Sequence, residues 1–240
     1  MVDRIALGIK GFDKLVEGGL PKGSLTLISG NPGTGKSIFC MQAAYNVALK
    51  GKPALYVSFE QTEDIMKEQL AQFGCNTGKI NGNLKLLFLD PNNPQVMDTI
   101  LKETKKIKAE FVVVDSLASL TSGPTNQAPN YTTQQIMDSV IPIPLDAENL
   151  ARMKVKLILD TIRSTKATAL LTSEIIKGQE GYSRDTLSDF LCDAIVMLHN
   201  VEGEEGFRTL TIPKIRLTKQ KGGVYSFEMG KKGIIVKSSE

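Results

Sequence analysis

Gly30-Asn31-Pro32-Gly33-Thr34-Gly35-Lys36-Ser37 is a complete GxxxxGK[ST] string, and its surroundings decide how it is read. Directly before it stands the apolar run Ser24–Ser29 (SLTLIS), which predicts a buried strand. Directly after it, Ser37–Lys50 predicts a helix that stops at Gly51. Strand, glycine-rich turn and helix in that order make a cradle in which successive backbone N–H groups point at a phosphate. The helix N-terminus adds partial positive charge at the same point. The Lys36 ammonium is expected to reach the terminal phosphates and the Ser37 hydroxyl to ligate Mg²⁺. The candidate nucleotide contacts are therefore Gly30, Asn31, Pro32, Gly33, Thr34, Gly35, Lys36, Ser37 and Ile38.

Outward from this loop, short apolar runs alternate with longer helical stretches, the pattern of a mainly parallel sheet flanked by helices. Further strands are expected at Ala54–Phe59, Leu84–Leu89, Phe111–Val114 and Thr168–Thr172, and further helices at Thr62–Phe73, Pro94–Lys108 and Ala147–Thr165. After Asp193 the rhythm changes to strands and turns (DAIVMLHNV, FRTLTIPKIRLT, the Gly222-Gly223 turn, VYSFEM, GIIVK), which predicts antiparallel strands extending the sheet. Residues 121–146 carry Pro124, Pro129, Pro142 and Pro144 without clear periodicity and read as an irregular excursion. With no internal repeat or linker, one α/β domain over residues 1–240 is the expectation.

Composition narrows the function classes. A chain of 240 residues buries roughly 70–75% of its unfolded surface and needs no disulfide or structural metal to hold a core. Its 29 Lys and Arg against 26 Asp and Glu give a net charge of +3, too mild to mark a nucleic-acid binder by bulk electrostatics. Cys40, Cys75 and Cys192 form no CxxC pair and are expected to be buried free thiols. The single histidine, His199, ends an apolar run, which argues against zinc chemistry and a Ser-His-Asp triad. No apolar run reaches a membrane span, and the N-terminus lacks a signal core, so a cytoplasmic protein with no membrane partner is expected.

Two acids fit the phosphate loop. Phe111-Val-Val-Val-Asp115 is an apolar strand ending on a carboxylate, and Asp115 is expected to hold Mg²⁺ opposite Ser37. Glu60 closes the next strand after the loop helix and is the candidate base for an attacking water. In an open parallel sheet, ligands sit beyond the carboxyl ends of the strands, where Glu60-Gln61, Asp115 and Thr172-Ser173-Glu174 all fall. The residues also admit a phosphoryl-transferring kinase. The lone Arg184 argues against one, because a kinase lid usually clusters arginines.

Taken together, these segments resemble the RecA/RadA/KaiC superfamily, and most closely single-domain KaiC-like ATPases. The likeness is carried by Leu7-Gly-Ile-Lys-Gly-Phe-Asp13, Glu17-Gly-Gly-Leu-Pro21, the phosphate loop, Tyr56-Val-Ser-Phe-Glu60-Gln61, Val114-Asp-Ser-Leu-Ala-Ser-Leu120, Leu171-Thr-Ser-Glu174, Asp189-Phe-Leu-Cys-Asp193 and Arg208-Thr-Leu-Thr-Ile-Pro-Lys214-Ile-Arg216. The resemblance implies a RecA-like P-loop core that hydrolyses ATP with Mg²⁺ as a homo-oligomer, a hexameric ring or a filament. It implies Glu60 and Lys36 as catalytic residues, Ser173 and Glu174 as a sensor, and Lys214 and Arg216 as a finger reaching a neighbouring subunit. The chain departs from the family pattern where Gln61 replaces a second glutamate, in the length of residues 121–146, and in lacking a second phosphate loop. The alternative is a RecA/RadA paralogue binding single-stranded DNA through Ile175–Ser188, which carries Lys177, Tyr182 and Arg184. The recombinase sensor glutamine is absent, and a nucleotide-dependent switch read by a regulatory protein is the remaining reading.

Overall fold

The computed structural model describes residues 2–80, 82–121, 147–175, 178, 181–201, 207–219 and 222–237. Most of the expected excursion, residues 122–146, and Lys177 lie outside the described residues.

A small antiparallel pair, β1 (Arg4–Ile5) with β2 (Leu20–Pro21), brackets the single-turn helix α1 (Phe12–Leu15). The loop strand β3 (Leu25–Gly30) then leads into α2 (Lys36–Leu49). It is followed by β4 (Ala54–Ser58), α3 (Glu63–Gln72), β5 (Leu84–Phe88), α4 (Val96–Lys106), β6 (Phe111–Asp115) and α5 (Leu117–Thr121). After the gap come α6 (Ala147–Ser164), β7 (Thr168–Ser173), α7 (Ser188–Leu191), β8 (Ala194–Asn200), β9 (Arg208–Ile215), β10 (Val224–Gly230) and β11 (Gly233–Val236). The expected strands and helices are found within one or two residues of their sequence-read ends, except that β9 stops three residues before Thr218. The short elements β1, β2, α1, α5 and α7 carry too little periodicity to be read from sequence.

Nine strands form one sheet in the order β11-β10-β9-β8-β3-β7-β6-β4-β5. The six strands from β8 to β5 are parallel, and β9, β10 and β11 continue antiparallel. Alternating side chains of the parallel strands serve two separate cores. Ile28, Tyr56, Phe111 and Val113 point to the side of α2 and α3, while Leu27, Leu55, Val57, Val112 and Val114 point to the side of α4 and α6. Burial on both faces is why these strands read as unbroken apolar runs.

The loop helix α2 is buried nearly all round, because three elements close over it. Phe12 of α1 meets Phe39 edge-on, ring centroids 5.1 Å apart. Tyr56 and its neighbours form the sheet below. From β11, the Ile234 backbone exchanges two hydrogen bonds with the Gln42 side-chain amide, which acts as a substitute strand partner. Gly51, with φ of 77°, ends the helix as expected.

Within β9, Thr211 faces Met197 but Lys214 faces Ile195, so two residues of β9 oppose the single Val196. This bulge contains Pro213, which has no N–H to give the ladder. The cysteines are all free, but Cys75 is only half-buried, a correction to the expected burial. It follows the end of α3, where the chain turns at Gly74 and leaves one side of the thiol open. Burial pushes the Cys192 thiol up to about 12 and the Cys40 thiol well above its ordinary value, so both behave as inert apolar groups. Among the described residues no helix is long and apolar enough to cross a membrane.

Phe12 and Phe39 are both fully buried. Phe12→Ala is expected to lower unfolding stability by about 3–5 kcal/mol, the usual cost of an emptied aromatic site. Urea unfolding with an unchanged slope checks it, and a loss below about 1 kcal/mol would mean that α1 does not brace α2.

Candidate nucleotide site

The phosphate loop leaves the end of β3 and enters α2 through Gly33 and Gly35, with φ of 78° and 100°. An added Cβ at Gly33 would meet nothing within 4 Å, so there it is backbone conformation that asks for glycine. At Gly35 it would lie 2.6 Å from the Met229 sulfur, so β10 closes the back of the loop. Thr34 ties the turn by donating from Oγ1 to the Asn31 carbonyl at 2.9 Å. Phe39 N–H donates to the Gly35 carbonyl at 2.9 Å, which leaves the N–H groups of Gly35, Lys36, Ser37 and Ile38 without an intrahelical acceptor. A loop open on the side of Gly33 and a helix end presenting free donors fit a polyphosphate.

Lys36 Nζ donates to the carbonyls of Gly30 at 2.9 Å and Asn31 at 3.1 Å, which folds its side chain back over the loop. Burial pushes its ammonium down from the ordinary lysine value. The opposing pull comes from Glu174 first, then Asp115, and more weakly Glu60. The three expected acids therefore converge on the single loop cation, although they come from three different strands. Topology achieves this: β7 lies beside β3, then β6, then β4, all parallel with their carboxyl ends together.

Asp115 is the most firmly held of the three. One carboxylate oxygen accepts from Tyr56 Oη at 2.6 Å and the other from Thr172 Oγ1 at 2.6 Å. Burial, then the Asp115 charge, raise the Tyr56 phenol well above its ordinary value, so it remains a donor at any working pH. Glu60 is exposed, and its Oε1 accepts from Ser119 Oγ at 3.1 Å and Ser116 Oγ at 3.4 Å. These two hydroxyls are themselves 2.8 Å apart. Ser58 Oγ accepts from the N–H groups of Glu60 and Gln61 and sets the turn after β4.

Tyr56, Thr172, Ser116 and Ser119 have no role in a reading of the sequence alone, although all four lie inside the segments quoted there. The signal was available in part, since Tyr56 is a hydroxyl-bearing residue between the aliphatic Leu55 and Val57. Its partner depends on the pairing of β4 with β6, which sequence does not display. Ser173, expected as a sensor, is buried and its Oγ lies 3.4 Å from both the Glu174 carbonyl and the Arg184 N–H. It is Thr172 that reaches Asp115.

The residues fit Mg²⁺ bound together with a nucleotide better than a resident ion. Among the described residues no three His, Cys, Asp or Glu side chains cluster as a metal cage. A single hydroxyl at Ser37 and a single well-held carboxylate at Asp115 suit a cation that takes its other ligands from phosphate and water.

Lys214 and Arg216 do not join this site. Because β9 runs antiparallel to β8, its far end lies beside Ala194 and Ile195, at the amino ends of the parallel strands and away from the phosphate loop. Lys214 Nζ donates to the carbonyls of Asp189 at 2.9 Å and Phe190 at 3.1 Å, and burial, with Arg216 beside it, pushes its ammonium down. Arg216 pairs with Asp193 at 3.1 Å. Tyr182 and Arg184 are exposed on the segment after β7.

Comparison with known proteins agrees with this arrangement. A family model described as "ATPase: KaiC" matches residues 5–240. The circadian clock oscillator protein KaiC of Synechococcus elongatus is 31% identical over 231 residues, covering 94% of this chain and 42% of that protein. The same identity and coverage are found with KaiC of Thermostichus vulcanus. The chain thus spans less than half the length of these curated relatives. The crystal structure of a KaiC-like protein from Pyrococcus horikoshii OT3 superposes with a TM-score of 0.81 at 27% identity, covering 99% of this chain and 100% of that one. All of these are KaiC proteins or KaiC-like, so the reading as a single-strand-binding recombinase paralogue is not favoured. A phosphate loop facing its strand-end acids, on a sheet shared with a KaiC-like structure and matched over nearly the whole chain, means that this protein belongs to the KaiC family of ATPases.

Proposed function

We propose that the chain is one KaiC-like ATPase unit that works as a cytoplasmic homo-oligomer, a hexameric ring or a filament. It binds Mg-ATP, hydrolyses it where two subunits meet, and couples the nucleotide state to assembly or to a regulatory partner. Family membership supports ATP as the nucleotide. The observation that carries the shared site is where Lys214 and Arg216 stand within one chain. Lys36 is the cation of the loop itself, among Glu60, Asp115 and Glu174, whereas Lys214 and Arg216 lie at the opposite end of the sheet. Surfaces at opposite ends of one chain meet in a head-to-tail contact, which closes into a ring or propagates as a filament.

In this reading the free N–H groups of Gly35 to Ile38 and the Lys36 ammonium bind the phosphates. Ser37 Oγ and Asp115 would hold Mg²⁺, which neutralises charge on the terminal phosphates when bound with the nucleotide. Tyr56 and Thr172 keep the Asp115 carboxylate in one orientation. Glu60, steadied by Ser116 and Ser119, orients the attacking water and takes its proton. Glu174 and Ser173 sense the terminal phosphate from β7. Lys214 and Arg216 of the next subunit supply the second cation that a loop with one lysine lacks, an effect of ~10³-fold or more in phosphoryl transfer.

Glu60→Gln is expected to bind ATP as the parent does and to turn it over ~10²-fold more slowly or worse. Calorimetry and steady-state turnover check the two halves, and turnover within about twofold of the parent would remove Glu60 from the water's side. Tyr56→Phe is expected to raise the Mg²⁺ concentration for half-maximal activity by ~10-fold or more, as loss of an orienting outer partner does. Unchanged magnesium dependence would make the Tyr56–Asp115 bond purely structural.

Mixing tests the shared site itself. Lys36→Ala and Lys214→Ala/Arg216→Ala proteins are each expected to be nearly inactive, and their mixture to regain part of the activity. Demonstrated subunit exchange without recovery, or full activity in a monomer, would overturn the proposal.

A further inference from the structure

Arg216, at the end of β9, is not simply a surface cation. One of its nitrogens is bound to Asp193 Oδ1 at 3.1 Å, while its side chain stays 55% exposed. Asp193 itself is largely enclosed, at 17% exposure, and is held from three directions. Its second oxygen accepts from the Leu25 N–H at 3.0 Å and from Arg163 Nη1 at 3.2 Å. Its own N–H donates to the Leu25 carbonyl at 2.8 Å, and its carbonyl accepts from the Arg216 N–H at 2.9 Å. Arg163 is fixed in turn by the Leu191 carbonyl at 2.7 Å. An enclosed carboxylate fixed by two other donors is a rigid post, and Arg216 leans on it with a single nitrogen.

A guanidinium carries five N–H donors in a planar fork. One bond to a fixed carboxylate restricts where the fork points and leaves its other donors open for a phosphate. A long, exposed side chain without such a post spreads over many rotamers, and only a few of them reach a neighbour's site. We propose that Asp193 is the positioning residue for Arg216: the carboxylate at the foot of β8, braced by Arg163 and the Leu25 amide, aims the guanidinium at the neighbouring subunit's phosphates. This inference rests on the reading that Arg216 acts in a neighbour's site. In this role Asp193 acts only through the arginine.

The test exploits the position of Asp193 between two elements. The same side chain also bonds Leu25, at the start of the phosphate-loop strand, so a merely structural role would damage the loop of its own subunit. Asp193→Asn keeps the shape and an oxygen for the Leu25 amide, and removes the charge that holds Arg216. In the full chain it is expected to leave ATP affinity within about twofold and to lower turnover by ~10-fold or more, the scale of a misplaced catalytic group. Mixed with Lys36→Ala it is expected to regain activity, because the Lys36→Ala subunit offers an intact finger to an intact loop. Mixed with Arg216→Ala it is expected to regain none, because both proteins are defective in the finger.

The reverse pattern, rescue by Arg216→Ala and not by Lys36→Ala, or turnover unchanged by the substitution, overturns the role of Asp193. The control mixture of Lys36→Ala with Arg216→Ala separates the two levels of the argument. If it fails to regain activity despite subunit exchange, the shared site falls, and this inference falls with it. If it succeeds while Asp193→Asn behaves as a loop variant, only the role of Asp193 is lost. Should Asp193→Asn not fold, Asp193→Glu keeps the charge and moves it by one methylene, and the same two mixing patterns decide.

Discussion

A parallel strand buried on both faces has little room for a polar side chain except at its ends, and this constraint organises the molecule. β3, β4, β6 and β7 spend their lengths on two apolar cores, with Ile28, Tyr56 and Val113 on one side and Leu27, Leu55 and Val112 on the other. Because the strands run the same way, their carboxyl ends lie in one row. Gly30, Glu60, Asp115 and Glu174 therefore arrive at a common edge from points far apart in the chain. The loop after β3 then turns into α2 and adds its helix N-terminus to that row.

Tyr56, like the buried Thr26 of β3, is an exception within the strands, and an instructive one. Its ring packs in the apolar core under α2, yet its hydroxyl reaches the edge and meets Asp115. Thr172 meets the same carboxylate from the opposite neighbour, β7. An acid that accepts a short hydrogen bond on each oxygen has little rotational freedom, which is what an ion-holding carboxylate requires. Glu60 is held more loosely, by hydroxyls on one oxygen, at an exposed position suited to meeting water. The two acids differ in support as they differ in the tasks proposed for them.

The antiparallel strands β9 to β11 do two things that the parallel strands do not. β10 and β11 cover α2 and the back of the phosphate loop through Met229 and Ile234. β9 runs the other way along β8, and so carries Lys214 and Arg216 to the amino ends of the parallel strands. The bulge at Pro213 falls just before Lys214 and shifts the register of the ladder, and beyond it Lys214 and Arg216 bond the segment Asp189–Asp193. One chain thus carries Glu60, Asp115 and Glu174 at one end of the sheet and Lys214 and Arg216 at the other.

The sequence by itself determined the α/β class, the long strands and helices to within three residues, the phosphate loop, and both Asp115 and Glu60 as acids that follow strands. It could do so because these features are local: a buried strand shows as an apolar run, a helix as a period, and a phosphate cradle as glycines at set intervals. The order of the strands, the two hydroxyls on Asp115, the pull of Glu174 on Lys36, and the bond between Arg216 and Asp193 were decided only in the tertiary structure. Each of these joins residues tens of positions apart, across strands whose pairing leaves no periodic trace in the chain. The half-burial of Cys75 was hidden for the same reason, since the cover over a side chain comes from elements distant in sequence. Local patterning dictates what each segment becomes, but which polar ends meet is settled by the packing of segments against one another.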